Sequence, residues 1–375
     1  MLELTLQRLT LRGFSSARVT RPGGGPATAP RVSVVIPCYN YGRFLESCVG
    51  SVLSQEDVDV DVLIVDDCSP DGSADVADAI AARDPRVRVH RNEVNLGHIA
   101  TYNAGFARVD GTYVLLLSAD DMLTPGALSR AARLMEANPS VGFAYGWSIE
   151  FSEEPPPPAR TQTRSWSVWK GADWLEDNCR RASNVIKSSD ALVRRSVLEQ
   201  VGGYRQDLPH SGDHEWWMRA AQAGDVGMVC GVDQYYYRIH GTNMSREPRY
   251  VGTLANLYET RKAFDAALDG SVGGDSKRLE RLRRMARRSL ATKALRFAVA
   301  DYMAGPEGAE VAESYRRFAV ETDPSVEGSR AWRALARRER AGVERAHRSL
   351  AFRARELVRD LETRLRWRRA RYSGV

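Results

Sequence analysis

From residue 31 to about residue 120, short apolar runs alternate with segments in which apolar residues recur every three or four positions. Runs rich in β-branched residues predict buried strands, and the segments between them predict amphipathic helices. The predicted strands are Val32–Ile36, Val60–Val65, Val87–His90 and Tyr113–Leu117. A strand about every 30 residues, with a helix in each interval, is typical of an open, mostly parallel α/β sheet with helices on both faces.

The pattern divides the chain into three parts. Residues 1–30 end in a run rich in Pro and Gly, Arg21–Pro26, which predicts a flexible linker. Residues 31–245 are predicted to form the α/β domain. Residues 246–375 lack the strand pattern and predict an Arg-rich helical extension.

The basic charge of the chain lies in this extension. The net charge is +6, but residues 271–375 carry 26 Lys and Arg against 14 Asp and Glu. Leu350, Leu357, Leu361 and Leu365 form one apolar stripe among its arginines. Three interpretations are open: a helical cap on the α/β domain, self-association, and contact with an anionic membrane surface. No recognition motif accompanies the charge, so we expect no nucleic-acid partner.

The sequence predicts neither a membrane span nor a signal peptide. No run of about 18 apolar residues occurs. Glu3, Gln7 and Arg8 interrupt the leucines at the start of the chain. We therefore expect a cytoplasmic protein, with peripheral contact to the inner face of the membrane through the basic tail as a further hypothesis.

Polar side chains follow three of the predicted strands: Tyr39-Asn40, Asp66-Asp67 and Ser118–Asp121. In parallel sheets, ligands bind at the edge where the carboxyl ends of the strands meet. The adjacent carboxylates of Asp120 and Asp121 repel each other unless a cation is held there. Such oxygen ligands favour Mg²⁺ or Mn²⁺, which would neutralise charge on a diphosphate leaving group. The alternative is that the pair only caps the following helix, near Thr124-Pro125.

Taken together, five segments resemble the family-2 glycosyltransferases of the GT-A fold, a Rossmann-like α/β fold. They are Val32–Asn40, Ser51–Gln55, Ile64–Ser73, Asn95–Gly105 and Leu117–Asp121. The resemblance covers about residues 31–245 and implies a catalytic domain over that range.

The resemblance implies a role for each matching residue. The residues implied in donor binding are Pro37, Tyr39, Asn40, Asp67, His98, Asn103, Asp120 and Arg238. Asp67 is implied to accept hydrogen bonds from the nucleotide base, unless it only forms a turn with Ser69. Asp120 and Asp121 fall on the metal motif, with Asp121 as the first direct ligand. His240 is a further candidate ligand, unless it is structural.

The resemblance also implies a catalytic base at the start of a helix. In the segment Ser211–Arg219, Asp213 lies at the position of the base and would remove the proton of an acceptor hydroxyl. Glu215 and His214 are rivals, and capping of the helix is an additional role for Asp213. One ring of the pair Trp216-Trp217 is a candidate to stack on a sugar.

One base without a second positioned nucleophile implies a single displacement with inversion at the anomeric carbon. The chain has no Gln-x-x-Arg-Trp sequence, a motif resembling processive synthases, so we expect transfer of one sugar. The expected donor is a UDP-, GDP- or TDP-sugar, the cofactor Mn²⁺ or Mg²⁺, and the acceptor a hydroxyl of a glycan, a lipid-linked molecule or a small molecule. Ser118 and Gly212 replace carboxylates common in the family, so a non-catalytic sugar-nucleotide or glycan-binding module is the alternative.

Overall fold

The structure, a computed structural model, describes residues 17–23, 29–243 and 253–352, together with Ala354 and Leu365. The described residues form two compact units. The first contains the residues up to Leu175 and Val185–Asn243, and the second contains Glu176–Asn184 and the residues from 253 onward. Every residue with a predicted catalytic, donor-binding or metal-binding role belongs to the first unit.

The described residues of the first unit form one ten-stranded sheet. Its strands are β1 (Arg18–Thr20), β2 (Arg31–Cys38), β3 (Asp59–Asp66), β4 (Val87–Arg91), β5 (Tyr113–Leu116), β6 (Met122–Leu123), β7 (Val141–Phe151), β8 (Ser165–Trp169), β9 (Ala191–Arg194) and β10 (Asp225–Arg238). The strand order is β1-β8-β10-β7-β9-β5-β2-β3-β4, and β6 pairs with β10.

The sheet has a parallel half and a mixed half. β5, β2, β3 and β4 pair in parallel, which is the part that the apolar runs predict. In the other half, β7 and β10 are parallel, but β1, β6, β8 and β9 pair antiparallel with their neighbours. The sheet is therefore mixed: it is parallel in the half that the apolar runs predict, and the second half of the domain adds strands that pair mostly antiparallel.

Helices cover both sides of the sheet. They are α1 (Gly42–Leu53), α2 (Ser73–Arg83), α3 (His98–Phe106), α4 (Ala127–Ala137), α5 (Gly171–Arg181), α6 (Arg195–Val201) and α7 (Gly212–Ala223), with a 3₁₀ turn at Ser188–Asp190. Leu45, Val49 and Val52 of α1 pack in one apolar core with the β-branched residues of β2 and β3. Burial of these side chains is what holds the helices on the sheet.

Helix α3 approaches the sheet closely at Gly105. A Cβ atom on Gly105 would lie 2.3 Å from Cγ1 of Val35 in β2, well inside van der Waals contact. Glycine is therefore required here by space rather than by backbone conformation. The close approach sets the height of α3 above the sheet edge, and with it the positions of His98, Tyr102 and Asn103.

Two expectations from the sequence can be compared with the structure. Strand β1, which pairs with β8, lies just before the predicted linker Arg21–Pro26; residues 1–16 and 24–28 lie outside the described residues. Asp120 and Asp121 do not cap a helix. They precede β6, and α4 begins after Gly126 with no side-chain capping bond.

The second unit is helical. Its helices are α8 (Thr253–Ala267), α9 (Ser276–Tyr302), α10 (Pro306–Thr322), α11 (Arg330–Ala341) and α12 (Val343–Arg348). Leu290 and Leu295 of α9 and Phe318 of α10 are completely buried, so this unit has an apolar core of its own. No helix in the described part of the chain is long and apolar enough to cross a membrane.

The structure describes two of the four leucines in the predicted stripe. Leu350 and Leu365 are exposed, and Leu357 and Leu361 lie outside the described residues. The interpretations of the basic tail therefore stay predictions.

Candidate active site

Three strands of the parallel half end at the same edge of the sheet. β2 ends at Cys38 and β3 at Asp66, and the amide of Asp67 donates to the carbonyl oxygen of Cys38 at 2.9 Å. Just after β5, the amide of Leu117 donates to the carbonyl oxygen of Val35 at 2.9 Å. The turns that follow these three strands therefore lie side by side.

Asp67 holds the loop that follows β4. Its Oδ1 accepts hydrogen bonds from Asn92 Nδ2 and from the Leu96 amide, both at 2.8 Å, and its Oδ2 accepts one from the Gly97 amide at 3.0 Å. The turn with Ser69, the alternative role for Asp67, is made by Asp66 instead, whose Oδ2 accepts the Ser69 amide at 3.2 Å. Contact between Asp67 and a nucleotide base stays a prediction.

Asn40 lies in the neighbouring turn, with a left-handed backbone (φ 61°). Its amide donates to Ser69 Oγ at 3.1 Å. Within the described residues, Asn40 Oδ1 and Asp66 Oδ1 are buried acceptors that have no hydrogen-bond partner. A buried acceptor without a donor costs free energy, so the turns that carry Asn40 and Asp66 suit a ligand or a water that carries N–H or O–H groups. Pro37 is half-buried in β2, and Tyr39 is exposed beside it.

Asp121 is buried in the turn between β5 and β6. Its Oδ1 accepts the amide of Arg238 at 3.1 Å, and its Oδ2 accepts the hydroxyl of Ser189 at 3.0 Å. Burial, and after it the charge of Asp120, raises the pKa of the Asp121 carboxyl to about 8. The protein therefore leaves the negative charge of this carboxylate incompletely compensated.

Asp120 lies against the ring of His240. Its Oδ2 is 2.9 Å from His240 Nε2 and 3.3 Å from Asn243 Nδ2. The other ring nitrogen, Nδ1, lies 2.9 Å from the Thr242 hydroxyl and 3.3 Å from the Thr242 amide. When Nδ1 carries the proton and donates it to this hydroxyl, the lone pair of Nε2 is free to bind a cation. The segment after β10 thus brings His240 to the turn between β5 and β6, residues 117–121, which we call the aspartate turn.

The Asp120–His240 pair fits a divalent cation better than Asp121 does. Adjacent ligands of an octahedral ion with bonds of about 2.1 Å lie about 3 Å apart, and the Oδ2–Nε2 distance is 2.9 Å. Both oxygens of Asp121 already accept hydrogen bonds from the protein. In the part of the chain that the structure describes, no group of three or more His, Cys, Asp or Glu side chains could hold a metal ion. A cation at the pair would therefore take further ligands from substrate and water.

Arg238, predicted to face the diphosphate, is buried among protein groups. Its Nε donates to the carbonyl oxygen of Asp120 at 2.9 Å, and its Nη1 pairs with Glu154 at 2.6 Å. Its guanidinium lies 4.7 Å from the ring centre of Phe44 and 4.5 Å from that of Phe151. These contacts hold the aspartate turn, and a diphosphate would have to displace Glu154 to reach Arg238.

Of the three candidate bases at the start of α7, only Asp213 is partly exposed. Its Oδ1 accepts the amide of His214 at 2.7 Å, and the N-cap of the helix is Ser211. His214 is buried, and Glu215 is completely buried. Both oxygens of Glu215 pair with the guanidinium of Arg219, at 2.6 and 2.9 Å. A buried ion pair is costly to break, so the geometry favours Asp213 over Glu215.

Both tryptophans of α7 are core residues. Trp216 stacks on Tyr204 with ring centres 5.8 Å apart, and Trp217 packs on Phe143 at 5.3 Å. Each is 2% exposed. The expectation that one of them could stack on a sugar is therefore wrong, because α7 buries both rings against the domain.

Tyr102 on α3 relates the aspartate turn to α7. Burial raises the pKa of the Tyr102 hydroxyl, and the carboxylates of Asp213, Asp120 and Asp121 raise it further. The Tyr102 phenol is thus within electrostatic range of all three carboxylates. Sequence reasoning missed Tyr102, although it lies inside the segment Asn95–Gly105.

His98 and Asn103, also on α3, contact the loop that leads into α7. His98 Nε2 is hydrogen-bonded to the carbonyl oxygen of Pro209 at 2.7 Å. Asn103 Nδ2 donates to the carbonyl oxygen of Tyr204 at 2.9 Å, and its Oδ1 accepts the Tyr204 amide at 2.8 Å. Their contact with the nucleotide or diphosphate stays a prediction.

Sequence reasoning also missed Ser189 and Asn243, which contact the two aspartates. Asn243 lies close in sequence to His240, so the segment after β10 was a usable signal. Ser189 lies in a 3₁₀ turn before β9 without a recognisable pattern around it.

Comparison with known proteins shows which family the chain belongs to. The family model described as Glycosyl transferase family 2 matches residues 33–202. An uncharacterized protein of Mycobacterium tuberculosis is 30% identical over 246 residues, which cover 62% of this chain and 74% of the relative.

Two solved structures have a similar fold. TarS residues 1–349 of S. aureus, in complex with UDP, superposes with a TM-score of 0.55 at 14% identity, over 84% of this chain and 89% of that one. The mannosyltransferase PcManGT of Pyrobaculum calidifontis, in complex with GDP-Man and Mn²⁺, gives a TM-score of 0.51 at 16% identity, over 91% and 93% of the two chains. At such low identity, this likeness shows the fold alone.

Proposed function

Since the chain belongs to glycosyl transferase family 2 and is a glycosyltransferase of the GT-A fold, we propose that it transfers one sugar from a nucleoside-diphosphate sugar to an acceptor hydroxyl, with inversion and with Asp213 as the base. The observation that carries the proposal is that the start of α3 contacts both the strand-end aspartates and the loop before the base: the Gly97 amide donates to Asp67, and His98 is hydrogen-bonded to the carbonyl oxygen of Pro209. The electrostatic effect of Asp213, Asp120 and Asp121 on Tyr102 of the same helix supports a proton acceptor and a site for a charged leaving group near each other.

Asp213 is the group that removes the acceptor proton. Its side chain is partly exposed on the first turn of α7, and the positive end of a helix stabilises a carboxylate there. As the acceptor oxygen forms its bond to the anomeric carbon, its proton passes to Asp213 and the bond from that carbon to the diphosphate oxygen breaks. The diphosphate leaves with the bonding electrons. A single displacement of this kind inverts the anomeric carbon.

Asp120 and His240 would hold Mn²⁺ or Mg²⁺. A cation bound there would favour the ionised form of the neighbouring Asp121 carboxyl, whose pKa is raised without it. When bound, such an ion supplies positive charge that offsets the charge developing on the leaving diphosphate. The Mn²⁺ in the PcManGT complex with GDP-Man supports a metal at this fold's active site.

The nucleotide of the donor is placed at the rim formed by Pro37, Tyr39, Asn40 and Asp67. The orphaned Oδ1 atoms of Asn40 and Asp66 support this placement, because a base or ribose carries N–H and O–H donors. UDP-, GDP- and TDP-sugars remain the donor candidates, since the similar structures hold UDP in one case and GDP-Man in the other. The acceptor is a hydroxyl of a glycan, a lipid-linked molecule or a small molecule. We keep cytoplasmic location and membrane contact through the basic tail as hypotheses.

The test is turnover of nucleoside-diphosphate sugars by Asp213→Asn. We expect kcat to fall by about 10²–10⁴-fold, because the amide cannot take the proton, while the dissociation constant of the donor is unchanged by calorimetry. Asp207→Asn is the matched control, since Asp207 lies in the loop that leads into α7 but is exposed and paired with Arg205. Turnover should remain normal in this variant.

Full activity of Asp213→Asn would show that another group is the base. The alternative is a non-catalytic binding module. It would be supported if the wild-type protein bound the donor but neither transferred its sugar nor hydrolysed it, in assays with and without EDTA.

A further inference from the structure

We propose that Asn103 positions Asp213 instead of binding the donor, an inference that rests on the proposed function because Asp213 is the proposed base. Asn103 lies on α3, and Asp213 lies on α7, at the far end of the loop 202–211. The loop has no regular secondary structure, so its path depends on side chains that bind its backbone. Asn103 is one of these side chains.

The amide of Asn103 pairs with the backbone of Tyr204 as a neighbouring strand would. Its Oδ1 accepts the Tyr204 amide at 2.8 Å, and its Nδ2 donates to the Tyr204 carbonyl oxygen at 2.9 Å. Both polar ends of the side chain are therefore directed at a single residue of the loop. This leaves the donor-binding role with little of the side chain's hydrogen-bonding capacity.

The start of the loop is bound from α7 as well. Arg219 donates to the carbonyl oxygens of Val201 and Gly203, the latter at 2.8 Å. Trp216 Nε1 donates to the carbonyl oxygen of Gly202 at 2.8 Å. The carbonyl oxygens of four consecutive residues, 201–204, are thus bound by side chains: the first three by Arg219 and Trp216 of α7, and the fourth by Asn103. Among these three side chains, only Asn103 belongs to α3, and it therefore connects the start of the loop to that helix.

The contact between Asn103 and the turn is too close for a side chain at position 203. A Cβ atom on Gly203 would lie 2.1 Å from Asn103 Oδ1 and 2.7 Å from its Cγ. Further along the loop, His98 on the same helix binds the carbonyl oxygen of Pro209 at 2.7 Å. The loop is therefore attached to α3 at two points before it reaches Asp213.

These attachments connect the proposed base, Asp213, to α3 and through it to the aspartate turn. Tyr102, next to Asn103 on α3, is within electrostatic range of both Asp213 and Asp120. When α3 holds the loop, it fixes the distance between the base and the aspartate turn. Release of the loop would move Asp213 relative to the anomeric carbon while leaving the nucleotide rim at β2 and β3 intact.

The experiment compares Asn103→Ala with wild-type enzyme in steady-state kinetics and donor calorimetry. We expect kcat to fall by about 100-fold, the size of effect that a misplacement of about 1 Å produces, with the donor dissociation constant unchanged. Asn138→Ala is the matched control, because the Asn138 amide also donates to a backbone carbonyl, that of Leu134, and accepts from Arg18. This variant should lose thermal stability but keep kcat. Weakened donor binding by Asn103→Ala at normal kcat would overturn the proposal.

A double-mutant cycle with Gly203 tests the contact itself. Gly203→Ala should lower kcat at least as far as Asn103→Ala, since the methyl group must displace the Asn103 amide. In the double variant the clash is absent, so kcat should be no lower than in Asn103→Ala alone, a strongly non-additive result. Additive losses would contradict a shared contact.

The two proposals fail separately. Full turnover of Asp213→Asn would remove the base assignment and the positioning role with it. A loss for Asp213→Asn together with full turnover for Asn103→Ala would overturn the positioning role alone.

Discussion

Asp67 and Asp121 are both buried aspartates that follow strand ends at the same edge of the sheet, yet the protein treats their charges differently. Asp67 accepts three hydrogen bonds, from the Asn92 side chain and from two successive backbone amides. Asp121 accepts one backbone amide and one hydroxyl, and Asp120 is adjacent in the chain. Burial and that neighbouring charge raise the pKa of the Asp121 carboxyl to about 8.

Motif and burial alone therefore do not assign a carboxylate's role. Asp67 is compensated by N–H donors, and its charge organises the loop 92–97. Asp121 is compensated poorly, and its charge together with that of Asp120 favours a cation in front of them. The partners of each carboxylate decide which of these roles it can have.

The largest effect that would test this comparison is on turnover. Asp120→Asn should lower kcat by about 10³-fold and remove its dependence on Mn²⁺, because the carboxylate beside His240 is lost. The measurement is kcat as a function of Mn²⁺ concentration after removal of metal with EDTA. Asp78→Asn is the control, since Asp78 is an exposed partner of Arg91 and should leave kcat unchanged. Wild-type Mn²⁺ dependence in Asp120→Asn would contradict the metal assignment.

A second test measures the free energy of unfolding, which substitution of the two buried aspartates should change in opposite directions. Asp67→Asn should lower the free energy of unfolding by about 2–3 kcal/mol, because its amide cannot accept all the N–H donors that now surround the carboxylate. Asp121→Asn should instead raise the stability of the metal-free protein above pH 8, since it removes a buried charge next to Asp120. Denaturant unfolding without metal at pH 8.5 measures both. Equal destabilisation by the two substitutions would contradict the difference in charge compensation between Asp67 and Asp121.

A third test uses the pH dependence of the free energy of unfolding. The folded-state pKa of Asp121 lies above its unfolded value, so the folded protein binds this proton more tightly. The stabilising contribution is therefore complete below about pH 4 and is lost as pH rises towards 8, with a slope of at most about 1.4 kcal/mol per pH unit. Metal-free wild-type protein should lose stability over this range more steeply than Asp121→Asn. Identical slopes in thermal or denaturant unfolding would show that Asp121 does not titrate there.

The parallel half of the fold and the aspartate turn could be predicted from the sequence because they depend on local pattern. The apolar runs of β2, β3 and β5 are contiguous, and the residues after them define the sheet edge. The mixed half could not be predicted in the same way. β9 and β10 find partners far away in the chain, and antiparallel neighbours leave no regular spacing to recognise.

The roles of individual carboxylates could not be predicted because their partners are also distant. Ser189 is 68 positions from Asp121, and Leu96 is 29 positions from Asp67. Glu215 shows the same limit within a single helix: its spacing from Arg219 permits an ion pair, but only the fold shows that the pair is completely buried. A rival base was therefore weakened by packing rather than by chemistry.

The contact between Gly105 and Val35 has a consequence for how this active site tolerates mutation. A single methyl group at position 105 would push α3 off the sheet and carry the phenol of Tyr102 and the anchor for the 202–211 loop with it. A residue with no functional group thus sets the spacing of residues that have one. In a mutational scan of the site, substitutions that change the distance between α3 and the sheet should therefore reduce activity as much as substitutions of the exposed side chains.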